Sequence, residues 1–275
     1  MAPTVLITGG SQGIGRETAN LFAQHGYNLV LTARRVDLLE EVAQGFRAAN
    51  HPVFAMPADT RDPEQVKALV EKAIEQFGAI DVLVNNAGIF CTGPVDHFSL
   101  EDWHTIIDTN LWGYIHTIHA VVPHMIARGK GTIVNLSSIG GKSSSAYLVP
   151  YVTSKYGVTG LTESLHAELS PKGITVCGIY PNIIKSDFME RALIRGVDQE
   201  DEEARRKQLE QVLSVPVVEK PGDVAKAIWD AVKNQKPEVV VGSAKVSLGF
   251  SSILPGVMQW LTHKTFQNRD KTKSA

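Results

Sequence analysis

Thr4-Val-Leu-Ile-Thr8-Gly9-Gly10-Ser11-Gln12-Gly13-Ile14-Gly15 decides how this 275-residue chain folds. A short apolar run ends in glycines spaced G-x3-G-x-G, and helical periodicity follows, so the stretch reads as a buried strand, a tight turn and the start of a helix. Glycines at such a turn let the backbone, with Ser11, Gln12 and Ile14 between them, approach a pyrophosphate at the positive end of a helix. Three glycines also recur in tight turns for steric reasons alone. The stretch by itself therefore specifies a strand-to-helix unit and leaves the ligand open.

Working outward, short apolar runs alternate with helical periodicity along most of the chain. Strands are expected at Val5 to Thr8, Asn28 to Thr32, Val53 to Pro57, Asp81 to Asn85, Thr132 to Ser137, Thr175 to Tyr180 and Glu238 to Val241. Each is short and apolar, as a strand buried on both faces should be. Pro63 and Pro221 suit first helical turns, and Gly26, Gly78 and Gly173 suit helix ends. Right-handed crossovers then favour an α/β fold: a doubly wound, mostly parallel seven-stranded sheet with helices on both faces, Rossmann-type, within residues 1–245. Residues 187–213 break the rhythm with a charged helical segment, Gln199 to Gln211. It reads as a substrate lid at the carboxyl ends of the strands or as a solvated surface helix, and a lid has an outer face.

Composition narrows the function classes. Lys and Arg total 27 against 29 Asp and Glu, which gives no electrostatic case for nucleic acid. Cys91 and Cys177 are too few for a disulfide framework and lack metal-site spacing, so no metal is expected and a reducing, cytoplasmic setting is. The first strand is expected to start at once, so a secretory leader is not expected. The extension at residues 246–275 is apolar and then basic, but Gly249, Pro255 and Gly256 interrupt it and it is too short to span a bilayer. It is expected to pack over the pocket or a neighbouring subunit; contact with a membrane surface is the sharper alternative.

Chemistry enters at Tyr151-Val-Thr-Ser-Lys155. A phenol and an ammonium four residues apart share one face of a helix. Moving a phenol about three units towards neutrality needs roughly 4 kcal/mol of preferential stabilisation of the phenolate, and a neighbouring cation has the right sign. Ser137 and Ser138 end the fifth strand on opposite faces, so only one faces a pocket. Asp59 and Thr60 follow the third strand, and Asn86-Ala87-Gly88 follows the fourth.

Taken in order, these residues resemble the short-chain dehydrogenase/reductase family over roughly residues 4 to 245. The resemblance implies a nicotinamide cofactor and redox chemistry on carbonyls or alcohols. It places Gly9, Gly13 and Gly15 on the pyrophosphate turn, Asp59 on the adenine amino group, Asn86 in the strand-four motif and Asn110 in the active site. The family's serine precedes its tyrosine by about thirteen positions, which selects Ser138. Tyr147 is followed four residues later by Tyr151 and not by a lysine, so it is assigned to the pocket. The implied roles are Ser138 on the substrate oxygen, Tyr151 as general acid/base, Lys155 on the nicotinamide ribose and the phenol, and Asn110 in a water-mediated proton relay. The family usually has Pro-Gly and then a threonine after the sixth strand. Here Pro181-Asn182-Ile183-Ile184-Lys185-Ser186 stands there, with the Ser186 hydroxyl in place of threonine's.

A carboxylate at the end of the second strand would select NAD, whereas Arg34 and Arg35 stand there and favour the 2'-phosphate of NADP(H). Ile89, Ile139, Tyr147, Phe188 and Met189 are expected to line an apolar substrate pocket for a ketone or secondary alcohol. A homodimer or homotetramer is expected through the helices Trp103 to Arg128 and Tyr151 to Ser170. The alternative is a nucleotide sensor or scaffold on the same fold, which would have no need of a proton donor.

Overall fold

In a computed structural model that describes residues 2–184, 191–213 and 219–242, the opening stretch forms the central strand β1 (Thr4–Thr8) and helix α1 (Gly13–Gln24). All five strand residues are buried. Val5 and Ile7 face one core and Leu6 the other, because successive side chains alternate. Burying each of these side chains contributes about 1.5–3 kcal/mol, which holds the glycine turn at its carboxyl end in place.

Five further strands and an edge strand join it, all parallel. They are β2 (Asn28–Thr32), β3 (Val53–Ala55), β4 (Val82–Asn85), β6 (Gly131–Leu136), β7 (Ile174–Tyr180) and β9 (Glu238–Val240), in the order β3-β2-β1-β4-β6-β7-β9. The expected doubly wound seven-stranded sheet is therefore present. The order reverses between β1 and β4, and at such a switch point the loops diverge and leave a crevice.

Helices α1, α2 (Val36–Ala48) and α8 (Pro221–Asn234) cover one face, burying Phe22, Leu39 and Ile228. Helices α3 (Pro63–Phe77), α5 (Gly113–Arg128) and α6 (Val149–Leu169) cover the other, burying Leu69, Val121 and Val158. The boundaries have local causes. Asp62 accepts hydrogen bonds from the Glu64 and Gln65 amides, Pro63 opens α3, and Gly78 closes it with φ +78°.

Two features depart from the expected elements, while the charged helix expected from Gln199 is present. The helix read from Trp103 to Arg128 is broken: α4 (Leu100–Ile107) and α5 are joined by a π turn, Asp108–Trp112. A two-stranded parallel sheet pairs β5 (Cys91–Thr92) with β8 (Leu193–Ile194) across the sequence. Helix α7 (Gln199–Leu213) follows β8. Ser186, Phe188, Met189, the rest of the stretch 185–190 and the extension 246–275 lie outside the described residues.

A buried polar layer braces the carboxyl ends of β4 and β6. Thr117 donates to Asn85 Oδ1 (2.6 Å), Asn85 Nδ2 to Asn135 Oδ1 (2.9 Å) and Asn135 Nδ2 to Thr162 Oγ1 (3.0 Å). The chain crosses from α5 through both strands to α6, and each bond contributes about 1 kcal/mol. Among the described residues no helix is long and apolar enough to cross a membrane.

Candidate active site

The crevice is a cavity of about 530 Å³. Its floor is the opening stretch: Gly9, Ser11, Gln12, Gly13 and Ile14 line it, and Gly9 adopts φ +66°. Gly15 lies behind them, where a Cβ would collide with the Gly9 carbonyl oxygen and fall 2.8 Å from Asn86 Nδ2. The turn can thus close only with glycine at that point.

Asn86 locks the turn to the strand-four loop. Its Nδ2 donates to the carbonyls of Thr8 (2.9 Å) and Gly9 (3.2 Å), while the Thr8 hydroxyl accepts the amides of Asn86 and Ala87 (3.0 Å each). Thr8 carried no signal in the sequence beyond its place at a strand end. Ala87 and Gly88 line the cavity next to Asn86.

Arg34, Arg35, Asp59 and Thr60 form one end. Arg35 Nη2 donates to Gln12 Oε1 (2.9 Å), and Arg34 is exposed beside it. The Asp59 carboxylate is clasped by Arg61, whose Nε lies 3.0 and 2.9 Å from its two oxygens. Burial works against ionisation there, but the guanidinium outweighs it and holds the carboxyl below its usual range.

Tyr151, Lys155 and Ser138 form the other end. The Ser138 hydroxyl accepts the Gly140 amide (3.1 Å) and lines the same wall as the Tyr151 phenol. Ser137 also reaches the cavity wall, yet its hydroxyl is engaged with the Lys155 carbonyl (3.1 Å) and Thr159 (3.1 Å). Both serines thus line the cavity, against the expectation that only one would face it, because the strand ends at Leu136 and its alternation does not extend to them; their partners, not the pleat, tell them apart.

Lys155 Nζ donates to the Leu136 carbonyl (2.8 Å) and lies 5.8 Å from the Tyr151 ring centre. Burial lowers this ammonium to about 7 and pushes the Tyr151 phenol up to about 12, the latter only partly offset by the Ser138 hydroxyl. The expected lowering of the phenol by its lysine is thus not what the cavity does by itself. Desolvation disfavours the charged form of each.

Asn110 is wholly buried in the π turn and does not line the cavity. Its amide bonds the Ile89 N–H (2.8 Å), the Ile89 carbonyl (2.9 Å) and Ser154 Oγ (3.0 Å), and Ser154 in turn donates to the Tyr151 carbonyl (2.7 Å). Asn110 therefore braces the backbone of the helix that carries Tyr151.

Pro181 and Ile184 line the cavity; Ile184 is pinned by a parallel bridge to Glu219. Ile89, Ile139 and Tyr147 lie off its lining. Ile89 packs on the apolar cluster that holds Phe90 and Tyr151, whose rings meet edge to face at 4.9 Å. Ile139 N–H bonds the Pro181 carbonyl (2.9 Å). Tyr147 sits at φ +63°, with the Arg205 guanidinium 4.6 Å above its ring.

The segment after residue 190 is tied to this side by β8, and by Arg195 Nε on Asp102 Oδ2 (2.9 Å). Arg191, Thr32 and Thr109 line the cavity without having been singled out in the sequence. No periodicity or motif marks them, because only the folded loops bring them to one wall.

The geometry fits a phosphate-bearing dinucleotide: a glycine turn at a helix N-terminus, cations at one end and a hydroxyl–phenol–ammonium group at the other. The comparisons agree. A 3-oxoacyl-acyl-carrier-protein reductase of Staphylococcus aureus is 38% identical over 191 residues, 69% of this chain and 78% of the relative. A short chain dehydrogenase/reductase from Burkholderia phymatum, solved in complex with NAD, superposes with TM-score 0.84 at 25% identity, covering 94% of this chain and 95% of that one. ElxO with NADP bound superposes with TM-score 0.77 at 28% identity, covering 90% of this chain and all of that one. The short chain dehydrogenase family matches residues 3–195. The chain belongs to the short-chain dehydrogenase/reductase family and is an NAD(P)(H)-dependent oxidoreductase that transfers hydride to or from carbonyl and alcohol groups.

Proposed function

We propose that the chain uses NADP(H) to reduce an apolar ketone, with Ser138, Tyr151 and Lys155 as its catalytic residues and Asn110 bracing them. The observation that carries this reading is the pairing of Arg34 and Arg35 at one end of the cavity with a protonated phenol at the other. Guanidiniums offer charge-assisted bonds to a 2'-phosphate, and Asp59, the one acid that lines that end among the described residues, is already clasped by Arg61. Relatives bind either NAD or NADP, so the preference rests on these side chains.

The cofactor's part is the hydride. Ser138 orients the substrate oxygen by hydrogen bonding, and Tyr151, pushed up to about 12, is protonated at neutral pH and so suited to donate. Lys155 regains its charge when an anion shares the cavity, and it then stabilises the phenolate left after transfer. The preference for an apolar ketone is inferred from the apolar cluster that holds Tyr151, with Phe90, Phe98 and Ile89, which lies beside the cavity and off its lining. Two copies would meet through α5 with the π turn before it and through α6, where Trp112 of the turn and Tyr156 of α6 are about half exposed. Arg34→Asp is expected to lower the preference for NADPH over NADH by about tenfold or more, measured as the ratio of kcat/KM values. An unchanged ratio removes Arg34 from the 2'-phosphate site.

A further inference from the structure

Ser138 stands at the head of a turn that has little stiffness of its own. Ser138-Ile139-Gly140-Gly141-Lys142 follows β6 as a single 3-10 turn, closed by the Gly141 N–H on the Ser138 carbonyl (2.8 Å) and the Lys142 N–H on the Ile139 carbonyl (3.0 Å). Two adjacent glycines give such a turn wide conformational freedom. Yet the Ser138 hydroxyl depends on it, because that hydroxyl is held by the Gly140 amide (3.1 Å). Whatever anchors the turn therefore sets the position of Ser138.

The turn is anchored at three points. At its start the Ile139 N–H bonds the Pro181 carbonyl (2.9 Å), just beyond the end of β7. At its middle Gly141 is pressed on α6: a Cβ there would lie 2.6 Å from both the Lys155 carbonyl and Thr159 Oγ1, and would collide with Ser137 Oγ. At its end stands Lys142, which belongs to no motif and does not line the cavity.

Lys142 Nζ donates to Glu238 Oε2 (2.7 Å) on the edge strand β9, lies 3.5 Å from Glu163 Oε1 on α6 and sits 4.4 Å from the centre of the Tyr180 ring on β7. One ammonium thus joins the serine turn to three elements, and Tyr180 directly precedes the proline that receives the Ile139 amide. Exposed lysine–carboxylate pairs contribute little as a rule. This lysine side chain is only 21% exposed and its ammonium lies over the ring of a buried tyrosine, so solvent screens the pair less. Burial works against its charge, but Glu238 outweighs that cost and raises the ammonium above its ordinary range.

We infer that Lys142 is a positioning residue for the reaction, holding the Ser138 hydroxyl beside Tyr151 through the Gly140–Gly141 turn, with Glu238 and Glu163 as its counter-charges. The inference rests on the role given to Ser138 above. A charge on the far edge of the sheet thereby fixes the hydrogen bond offered to the substrate oxygen.

The test is NADPH-dependent reduction of cyclohexanone as probe, with NADPH titration and amide hydrogen exchange, in wild type, Lys142→Met, Lys142→Arg, Ser138→Ala and the Ser138→Ala/Lys142→Met double variant. Lys142→Met is expected to lower kcat about 5- to 20-fold while NADPH affinity stays within twofold. Lys142→Arg, which keeps the charge, should stay within about threefold of wild type. In the Ser138→Ala background the methionine should cost less than twofold, because the group it positions is gone; a merely structural lysine would cost the same in both backgrounds. The Gly141 amide should exchange faster in Lys142→Met while those of β1 do not. Turnover of Lys142→Met within twofold of wild type, an arginine variant as slow as the methionine one, or an equal loss in the Ser138→Ala background each overturns the inference. So does unchanged exchange at Gly141, whether or not cyclohexanone is a substrate. If Lys142→Met does not fold, Glu238→Gln takes its place with an expected loss of about 2- to 5-fold in kcat, and no loss there overturns the inference too. Full turnover in Ser138→Ala overturns the serine's own role; an inactive Ser138→Ala beside a fully active Lys142→Met overturns the inference alone.

Discussion

The two ends of the cavity are built differently. The nucleotide end is an outgrowth of the sheet: the glycine turn leaves β1 directly, and Asn86 and Thr8 stitch it to the neighbouring strand through backbone groups. The substrate side is held by ties between segments far apart in sequence: β5 on β8, Asp102 on Arg195 and Tyr147 beneath Arg205. One end is rigid because it is main chain in a buried sheet. The other depends on a few side chains that bridge about a hundred residues. The first should therefore fail abruptly and the second by degrees.

The largest effect is expected at Tyr151→Phe, which removes the proton donor and little else. It should lower kcat by about 10²- to 10⁴-fold while NADPH affinity, measured by titration, stays within a few-fold. Wild-type turnover in that variant would end the mechanism. Gly15→Ala comes next, because its methyl group must displace the Gly9 carbonyl. Overpacking of this kind costs about 1–3 kcal/mol, so both the melting temperature and NADPH binding should drop together. A variant that kept both would mean that the turn has slack.

Lys155→Met probes the chemistry between the two ends. A lysine held at about 7 against 10.5 in its ordinary state carries its full burial penalty below pH 7. That penalty is relieved as the pH rises from about 7 towards 10.5, because the unfolded chain holds the extra proton throughout that window. Wild-type stability relative to the methionine variant should therefore rise with pH between 7 and 9, by up to about 1.4 kcal/mol per unit. A flat difference in denaturant midpoints would show that Lys155 titrates as if exposed.

Asp102→Asn gives the smallest change and bears on the tied side alone. Asp102 is held below its usual range chiefly by Arg195, and the pair is partly exposed, so its loss should cost about 1 kcal/mol. Amides of Leu193 and Arg195, bonded to the Phe90 and Thr92 carbonyls, should exchange faster with solvent while those of β1 do not. Substrate KM is expected to rise a few-fold at nearly constant kcat. Equal exchange at both ends would erase the contrast between them.

Legibility follows the same division. The seven strands were readable because each is a short apolar run, and four of the seven begin one residue from the observed start while the other three coincide with it. Asn86, Ser138, Tyr151 and Lys155 were readable because motif spacing fixes their place relative to those strands. The π turn was not, since Trp103 to Arg128 reads as a single helix. Nor were β5 and β8, two residues each, which exist only because they find one another.

What the sequence determined by itself is the frame: the strand order implied by alternation, the turn that only glycine permits, and the residue types at the strand ends. These are local properties, set by backbone sterics and the burial of side chains on either face of a strand. Tertiary structure decided how the two serines are partnered, how far burial moves Tyr151 and Lys155 from their ordinary states, and which loops share one cavity wall. Each of those depends on the dielectric and the partners that distant segments supply, and these come into being only when the chain has closed around them.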